Sequence, residues 1–585
     1  MSESKLGRLF DKLPPSLIKK NNVTLFPEGA IGYLVGPTLA LLANSVLSNY
    51  FNKYMSDVLH INSWASAFFT WLPVVSVIFV VMGNILVGKL MDSCKSRNGK
   101  ARPLLLLSLP ISLLALLFLF VFSPYKAGSD SWHVGALICI AIGYNLWFAF
   151  AYPMYYTPHA ALVSLSTRNS KDRGLLATAS NATMLAAMGL AQMILPFFIT
   201  LIFVPDANDA SLIDTQASYS HWKVFVIALL VVTALGVLIE YFFTRERVTE
   251  ESMGQEDAAP KATLSTSAQA KICLKDRFWI IMMVFFFLYQ FGGMIKNVSQ
   301  NYFCTAMFPD AMGNYTVAYG GQLQGTLAII GAIPTAIGMV IALPLANALG
   351  SKSKAILVGA AVAVVGGAIG MIAPNNFIVV IISFVIKALG STPAMYLSLA
   401  LLADIFDHQE AVNGKRTDGF SMTVYGAIIA GMTGLTTGVL NMVLSAVNYD
   451  VSTLQTNEAL RAAMPWVFIG GETICYLGIF LLFLFMGVEK FSKIDHLAIV
   501  ADQKAAAEAE GREYISAEEK IRREEGEEAY QAELKKQADA AAKEQARIAK
   551  LSPEKREAEK AAEQKLLEEF NTQRTSLGRD AFKPE

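Results

Sequence analysis

The chain has 585 residues, of which 54% are apolar and 16% charged, and its mean hydropathy is +0.42. A soluble protein of that length has no interior large enough for so much apolar surface, so composition selects a polytopic membrane protein whose first partner is the lipid bilayer. Its 48 basic and 48 acidic side chains cancel, which leaves no net field to gather nucleic acid or another polyanion.

Residues 1–28 carry Lys5, Arg8, Lys12, Lys19 and Lys20 but no short apolar core followed by a cleavage site, so they read as a retained cytoplasmic N-terminus. About twelve apolar stretches of roughly 20 residues follow, each long enough for a hydrocarbon core about 30 Å thick. They lie near 30–52, 63–91, 104–123, 133–163, 175–204, 222–243, 278–303, 318–349, 354–373, 376–405, 420–446 and 463–487. Lys and Arg gather in the links 89–102, 168–173, 245–277, 352–354 and 415–416, whereas 205–222, 308–315, 373–377 and 448–459 are nearly free of them. The positive-inside rule therefore puts both termini in the cytoplasm. The polar link 244–276 separates an N-terminal six-helix bundle, 29–243, from a C-terminal one, 277–489. Beyond it, 490–585 turns to Ala, Glu, Lys, Gln and Arg, a charged cytoplasmic tail that is helical or disordered. A solvated run is its ordinary reading, and an arm for a cytosolic partner is the functional one.

Two short polar signatures stand in comparable places of the two halves: Gly88 to Pro103 reads GKLMDSCKSRNGKARP, and Ala403 to Gly419 reads ADIFDHQEAVNGKRTDG. In the first, Gly88 permits close helix approach, Asp92 can cap a helix or pair with cations, and Gly99 with Pro103 suits a turn that starts the next helix. A third run closes the fourth stretch: Pro158-His159-Ala160-Ala161-Leu162, then Ser166-Thr167 and Lys171-Asp172-Arg173. Together these resemble the glycoside–pentoside–hexuronide:cation symporter family of the major facilitator superfamily, the relatives of melibiose permease. The resemblance covers most of residues 30–490 and excludes the tail. It implies an all-α polytopic membrane protein with a major facilitator fold, 12 transmembrane helices in two six-helix bundles around a central sugar site, and a sodium, lithium or proton gradient driving uptake. On the same pattern Asp92, Lys100, Arg102, Arg173, Asp404, Asp407, Lys415 and Arg416 form salt bridges between the bundles that close a cytoplasmic gate. Each is weak alone, roughly 0–1 kcal/mol, so substrate binding can release the set.

The carboxylates of the cation-coupled relatives are absent. Placing the family's second-helix glycine on Gly88 puts Val80 and Asn84 at the two acidic positions and Ile85 at the proline. The fourth-helix aspartate falls on Ala151 or Tyr156, the eleventh-helix lysine on Ala430, and no acid stands between Ile31 and Phe51. A dehydrated cation needs several oxygens and preferably a compensating charge. Val80 supplies neither, and Asn84 offers a neutral carbonyl that suits sodium but carries no proton. Facilitated diffusion, or coupling through another residue, is the expectation that follows. His159 is the candidate for a proton, since imidazole titrates near neutral pH, although a buried histidine more often simply bonds a neighbour.

Other polar groups lie at membrane depth. Lys387 stands roughly 11 residues from the outer end of its helix, where an ionised side chain costs about 2.5–3.5 kcal/mol. It either meets a uronate carboxylate or sugar hydroxyls in the cavity, or pairs structurally with Glu472. Tyr152, Tyr156 and His159 recur at i, i+4 and i+7, one face of a helix that can stack a pyranose ring, although such stripes more often pack. Asn44, Asn181, Gln290, Asn297, Tyr396 and Tyr425 complete the cavity candidates.

The expected function is import of a sugar or glycoside across the cytoplasmic (inner) membrane by alternating access. A uniporter, a carrier of an anionic or amphipathic metabolite and a non-transporting sugar sensor are the alternatives. No cofactor is expected beyond Na+ or H+ as the coupling ion, and no nucleophile–base set, metal-ligand spacing or phosphate loop points to an enzyme. Cys94, Cys139, Cys273, Cys304 and Cys475 follow no paired spacing, so neither a disulfide framework nor a zinc site is expected.

Overall fold

Inside a bilayer the backbone finds no water to bond, so apolar runs of this length satisfy their own N–H and C=O groups as helices. The computed structural model shows that outcome and describes residues 10–20, 23–93, 96, 98–122, 134–167, 170–193, 195–207, 209, 212–249, 266–415, 417–509, 511, 514, 519, 522, 526–549 and 551–583. The first half contains α1 (Leu25–Val58), α2 (Ser66–Ser93), α3 (Arg102–Val121), α4 (Val134–Ser166), α5 (Ser170–Met193) and α6 (Thr215–Phe243). A short helix, Thr266–Lys275, leads into the second half. There follow α7 (Arg277–Met307), α8 (Val317–Leu349), α9 (Lys352–Ile372), α10 (Phe377–Asn413), α11 (Asp418–Ala446) and α12 (Glu458–Lys490).

Among the described residues ten helices are long and apolar enough to cross a membrane, and α8, bent by 44°, makes eleven if it counts as one span. The remaining expected stretch, 175–204, is α5 followed by a 3-10 turn, Leu195–Leu201. Its Ser, Thr and Asn residues leave it less apolar than the others. An even number of helices in each half returns its two ends to one face, termed proximal; the opposite face is distal.

Small residues set the crossings that place the site. A Cβ on Gly36 would lie 2.8 Å from the backbone nitrogen of Glu240, so α1 and α6 meet backbone to backbone and hold Glu240 inside the first half. Between the halves, a Cβ on Gly434 of α11 would lie 2.5 Å from the carbonyl of Pro73 in α2. In α4 the turns Leu146–Ala151 widen into a π-helix just before Pro153. A proline lacks the N–H that a regular turn needs, and such widened turns gather at functional sites.

The halves repeat a fastening at the proximal face. The Glu246 carboxylate, just past α6, accepts from the backbone N–H groups of Lys100, Ala101 and Arg102 at 2.8, 2.9 and 2.8 Å and so caps the start of α3. Glu489 does the same for α9, accepting from the N–H groups of Lys352 and Ser353 at 2.7 and 2.8 Å. A carboxylate is the right group there, because a helix N-terminus presents unpaired donors and a positive dipole end.

The tail forms α13 (Ser492–Ala509), α14 (Glu527–Ala549) and α15 (Pro553–Ser576). Its end returns to the proximal end of α10. Phe570 is fully buried beside His408, and Arg574 donates to the Ala411 carbonyl at 2.9 Å and pairs with Asp502 at 2.8 Å. Burial opposes ionisation of Asp502, but Arg574 and Arg579 outweigh it and hold the carboxyl below its ordinary range.

Candidate functional site

A cavity of about 90 Å³ lies between the halves, room for roughly six to nine waters at about 10–15 Å³ each. Asn44, Ser45, Ser48 and Asn49 of α1, Ser76, Val80 and Asn84 of α2, and Tyr144, Phe148 and Tyr152 of α4 line one side. Met294 and Asn297 of α7 with Ala430, Thr433 and Gly434 of α11 line the other, and among the described residues no lining side chain is charged. The Trp147 indole N–H donates to the Asn44 side-chain oxygen at 3.2 Å, which orients the amide. Asn49 and Asn84 turn their amide N–H groups back to the carbonyls of Ser45 and Val80, at 2.7 and 2.8 Å. The Ser76 hydroxyl is buried with no protein partner among the described residues, as befits a group that meets water or a ligand.

About two turns closer to the proximal face, α4 carries different chemistry. Tyr152 stacks on Tyr156 with ring centroids 5.3 Å apart, and Tyr155 stacks on His159 at 5.8 Å. His159 Nδ1 lies 2.7 Å from Glu240 Oε1, and the two side chains are 3% and 0% exposed. The Tyr155 hydroxyl donates to the second Glu240 oxygen, and Ser180 Oγ lies 3.1 Å from His159 Nε2.

The second half holds its own buried charges. Lys387 Nζ lies 2.7 Å from Glu472 Oε2, and Lys296 Nζ lies 3.3 Å from Oε1 of the same carboxylate. Lys387 is therefore bound inside the second half, away from the cavity lining. One carboxylate serves two ammonium groups, a cost that a membrane interior tolerates only with such pairing. Tyr425 packs against Phe286 at 4.5 Å, and Tyr396 is partly buried in the same core.

The distal side is sealed by contacts between the halves. Lys53 and Asp57, fully buried and 2.7 Å apart, come from the first half. Tyr449 of the second half donates to Asp57 at 3.0 Å, and Tyr302 bonds Ser56 at 2.9 Å and Asn52 at 3.2 Å. Asn441 donates to the Phe69 carbonyl at 2.7 Å, Asn62 to the Tyr449 carbonyl, and His60 meets Asp450 at 3.3 Å.

Two unequal halves around an uncharged cavity, sealed on one side, are the plan of a carrier, and a family model described as MFS/sugar transport protein matches residues 32–490. The chain belongs to that family. Its motif likeness to the glycoside–pentoside–hexuronide:cation symporters agrees with its relatives. The uncharacterized symporter YjmB of Bacillus subtilis (strain 168) is 25% identical over 461 residues, covering 77% of this chain and 90% of the relative. A glucuronide carrier protein homolog of Escherichia coli (strain K12) is 20% identical over 432 residues, covering 74% and 86%. A crystal structure of a D-xylose-proton symporter, 12% identical, aligns with a TM-score of 0.50 over 76% of this chain and 96% of that one, a likeness of fold alone. The transporter is thus a multi-pass membrane protein and not an enzyme.

Of the transporter's expected site residues, Asn44, Tyr152, Asn297 and the coupling candidate Asn84 reach the cavity, Tyr156 stacks behind Tyr152, and His159 is buried on Glu240. Among the gate charges, Arg102 donates to the Tyr241 carbonyl at 2.8 Å within the first half, and Asp404 pairs with Lys352 at 2.5 Å within the second. Lys100 is held by its backbone N–H on Glu246, while Lys415 is exposed just past the end of α10 and Asp407 lies on that helix. The side chains of Asp92, Arg173 and Asn181, and residue Arg416, lie outside the described residues. Sequence reading missed Glu240, Lys296 and the Tyr302–Tyr449 seal. The one available signal was that any charge inside an apolar run needs a partner.

Proposed function

We propose that the protein imports a neutral sugar or glycoside across the cytoplasmic membrane by alternating access, with both termini in the cytoplasm. The observation that carries this reading is the cavity lining, in which amide, hydroxyl and aromatic groups converge and, among the described residues, no side chain is charged. Amides and hydroxyls exchange hydrogen bonds with sugar hydroxyls, aromatic faces pack against a pyranose ring, and an anionic ligand would meet no cation. Similarity to a glucuronide carrier homolog supports a glycosidic substrate; the uncharged lining supports a neutral one.

The basic links Lys89–Arg102, Lys352–Lys354 and Lys415–Arg416 support a cytoplasmic proximal face. With the distal side sealed, the next opening of this state is toward the cytoplasm. A neutral hydrogen bond contributes about 0.5–1.5 kcal/mol and one to a charged group about 1.5–3 kcal/mol, so each contact of the polar seal is small enough for substrate held by Asn44 and Asn84 on one side and Asn297 and Thr433 on the other to rock the halves. Closing the proximal side then brings the signature charges Asp92, Arg173, Asp404, Asp407, Lys415 and Arg416 of the two halves together as a gate.

The test is counterflow in proteoliposomes preloaded with unlabelled sugar. Labelled neutral glycosides should exchange and hexuronides should not compete. If no sugar of a neutral and uronide panel exchanges, the reading fails; competition by hexuronides alone would contradict the neutral lining.

A further inference from the structure

We propose that His159 and Glu240 form the proton-carrying site of this transporter, Glu240 being the acid that the helices around the cavity lack. The proposal rests on the transport reading above and adds its coupling ion. Glu240 Oε1 lies 2.7 Å from His159 Nδ1, Tyr155 donates to Oε2, and Ser180 stands 3.1 Å from Nε2, all sealed from solvent. The pair joins α4, α5 and α6 within one turn of the proximal end of α6 at Phe243, so a small parting of those helices hydrates it.

The charges around the dyad are matched among themselves. From α1, Glu28 is paired with Arg247 at 2.8 Å, and the Tyr33 hydroxyl is spent on the Leu162 carbonyl and Ser166. Past α6, Glu246 is occupied by three N–H groups of α3, and Arg102 of α3 is bound to the Tyr241 carbonyl and lies over the Tyr241 ring. The other groups facing the pair are neutral: Tyr155 and Tyr156 of α4 and Ser180 of α5. Among the described residues the nearby cations, Arg247 and Arg102, are engaged with Glu28 and with the Tyr241 carbonyl, and His159 is the base paired with Glu240. With a protonated imidazole the dyad is a neutral ion pair; without that proton it is a lone carboxylate in the membrane, which a low-dielectric interior penalises. While sealed, the dyad therefore keeps one proton.

The cycle balances without any further reactant. In the state open to the distal side, neutral imidazole takes H+ from outside water to become imidazolium, hydrogen-bonded through Nδ1 to Glu240 and through Nε2 to Ser180. When the proximal side opens, water solvates the carboxylate, the imidazolium gives its proton to cytoplasmic water, and one positive charge has moved inward. The link to the cargo is α4 itself, because Tyr152 lines the cavity and stacks on Tyr156, whose ring lies 6.2 Å from that of His159.

The second half supplies the contrast that makes this a proton site and not one more structural pair. Lys387–Glu472 joins α10 to α12, as His159–Glu240 joins α4 to α6. There the base is a lysine, and a second lysine shares its carboxylate. In the first half the base is the side chain that changes charge at physiological pH.

Wild type, Glu240→Gln and His159→Gln would be compared in proteoliposomes with a neutral glycoside. An inward acid gradient should drive wild type above equilibration and leave both variants at equilibration, while exchange at equal pH stays within about twofold of wild type. Accumulation by Glu240→Gln equal to wild type, loss of exchange along with accumulation in both variants, or accumulation driven by sodium and not by acid overturns the proposal. A second readout needs no transported sugar: nitrogen-15 NMR of histidine-labelled full-length protein in lipid nanodiscs, with His159→Gln assigning the signal among the six histidines. His159 should carry protons on both ring nitrogens in the wild type and on one in Glu240→Gln under the same conditions. A ring that is neutral throughout, or indifferent to Glu240→Gln, overturns the proton site. Failure of every sugar to exchange would strike the transport reading instead, with the NMR result still deciding the site.

Discussion

Glu246 caps α3 in the first half as Glu489 caps α9 in the second, and the fourth and sixth helices of each half are tied by a base and a glutamate, His159 to Glu240 and Lys387 to Glu472. The scaffold repeats while the chemistry of the tie does not. Lys387 shares Glu472 with Lys296 and lies deep in the membrane, whereas His159 stands nearer the proximal face, where the neutral Tyr155, Tyr156 and Ser180 accompany the pair. A repeated fold thus divides labour: one pair fastens its half, and the other is free to gain and lose a charge.

Removing the fastening should have the largest effect. Glu472→Ala leaves Lys387 and Lys296 facing each other without a counter-charge, and breaking a buried pair costs about 3–5 kcal/mol. Thermal unfolding in detergent should show a carrier that scarcely survives extraction, while Lys387→Met, which keeps Glu472 on Lys296, should be milder. Equal losses from both would break the distinction. Next, His159→Lys converts the first half into a copy of the second. The fold should persist with near-normal exchange, and accumulation under an acid gradient should vanish; retained accumulation would show that the imidazole is not the group that titrates.

How far the sequence foretells this differs between fold and site. Apolar runs sufficed for the ten spans among the described residues, eleven with the bent α8, because helix formation in lipid is forced by the backbone and needs no knowledge of neighbours. Asn44, Asn297 and Tyr152 were readable as cavity groups for a related reason: polar side chains on helices that surround a centre point to it often enough. Glu240 was not readable. Three residues from the end of α6 it resembles an interfacial charge, and only the backbone crossing of α1 on α6 at Gly36 turns it inward toward His159. Lys53 and Asp57 show i, i+4 spacing in sequence, but their capping by Tyr302 and Tyr449 depends on how two halves meet.

A further histidine–carboxylate pair sharpens the comparison, because His60–Asp450 links the halves where His159–Glu240 works within one. Burial works against both charges, but the hydrogen bond between them raises His60 above its ordinary value and, with Ser452, holds Asp450 down to about 2. A raised imidazole stabilises the bridged state fully below its ordinary 6.5 and loses that contribution as pH rises through its shifted value; a lowered carboxyl contributes above its ordinary 3.8 and loses it as pH falls toward about 2. The distal seal should therefore be firmest between those two ordinary values and loosen in alkali. Labelling of a Ser48→Cys cavity thiol from the distal side should rise with pH in the wild type and lose that dependence in His60→Gln. The smallest effect belongs to the repeated caps. Glu246→Gln and Glu489→Gln should each cost about 1 kcal/mol, by equal amounts if the halves are fastened alike.

The account turns on whether sugar entry carries a proton through the first half. In lightly buffered proteoliposomes, adding a neutral glycoside should raise the external pH with wild type and leave it unchanged with Glu240→Gln, although the sugar still exchanges in both. A wild type that admits sugar without any pH change, or a Glu240→Gln protein that alkalinises the medium as well as wild type does, would contradict it.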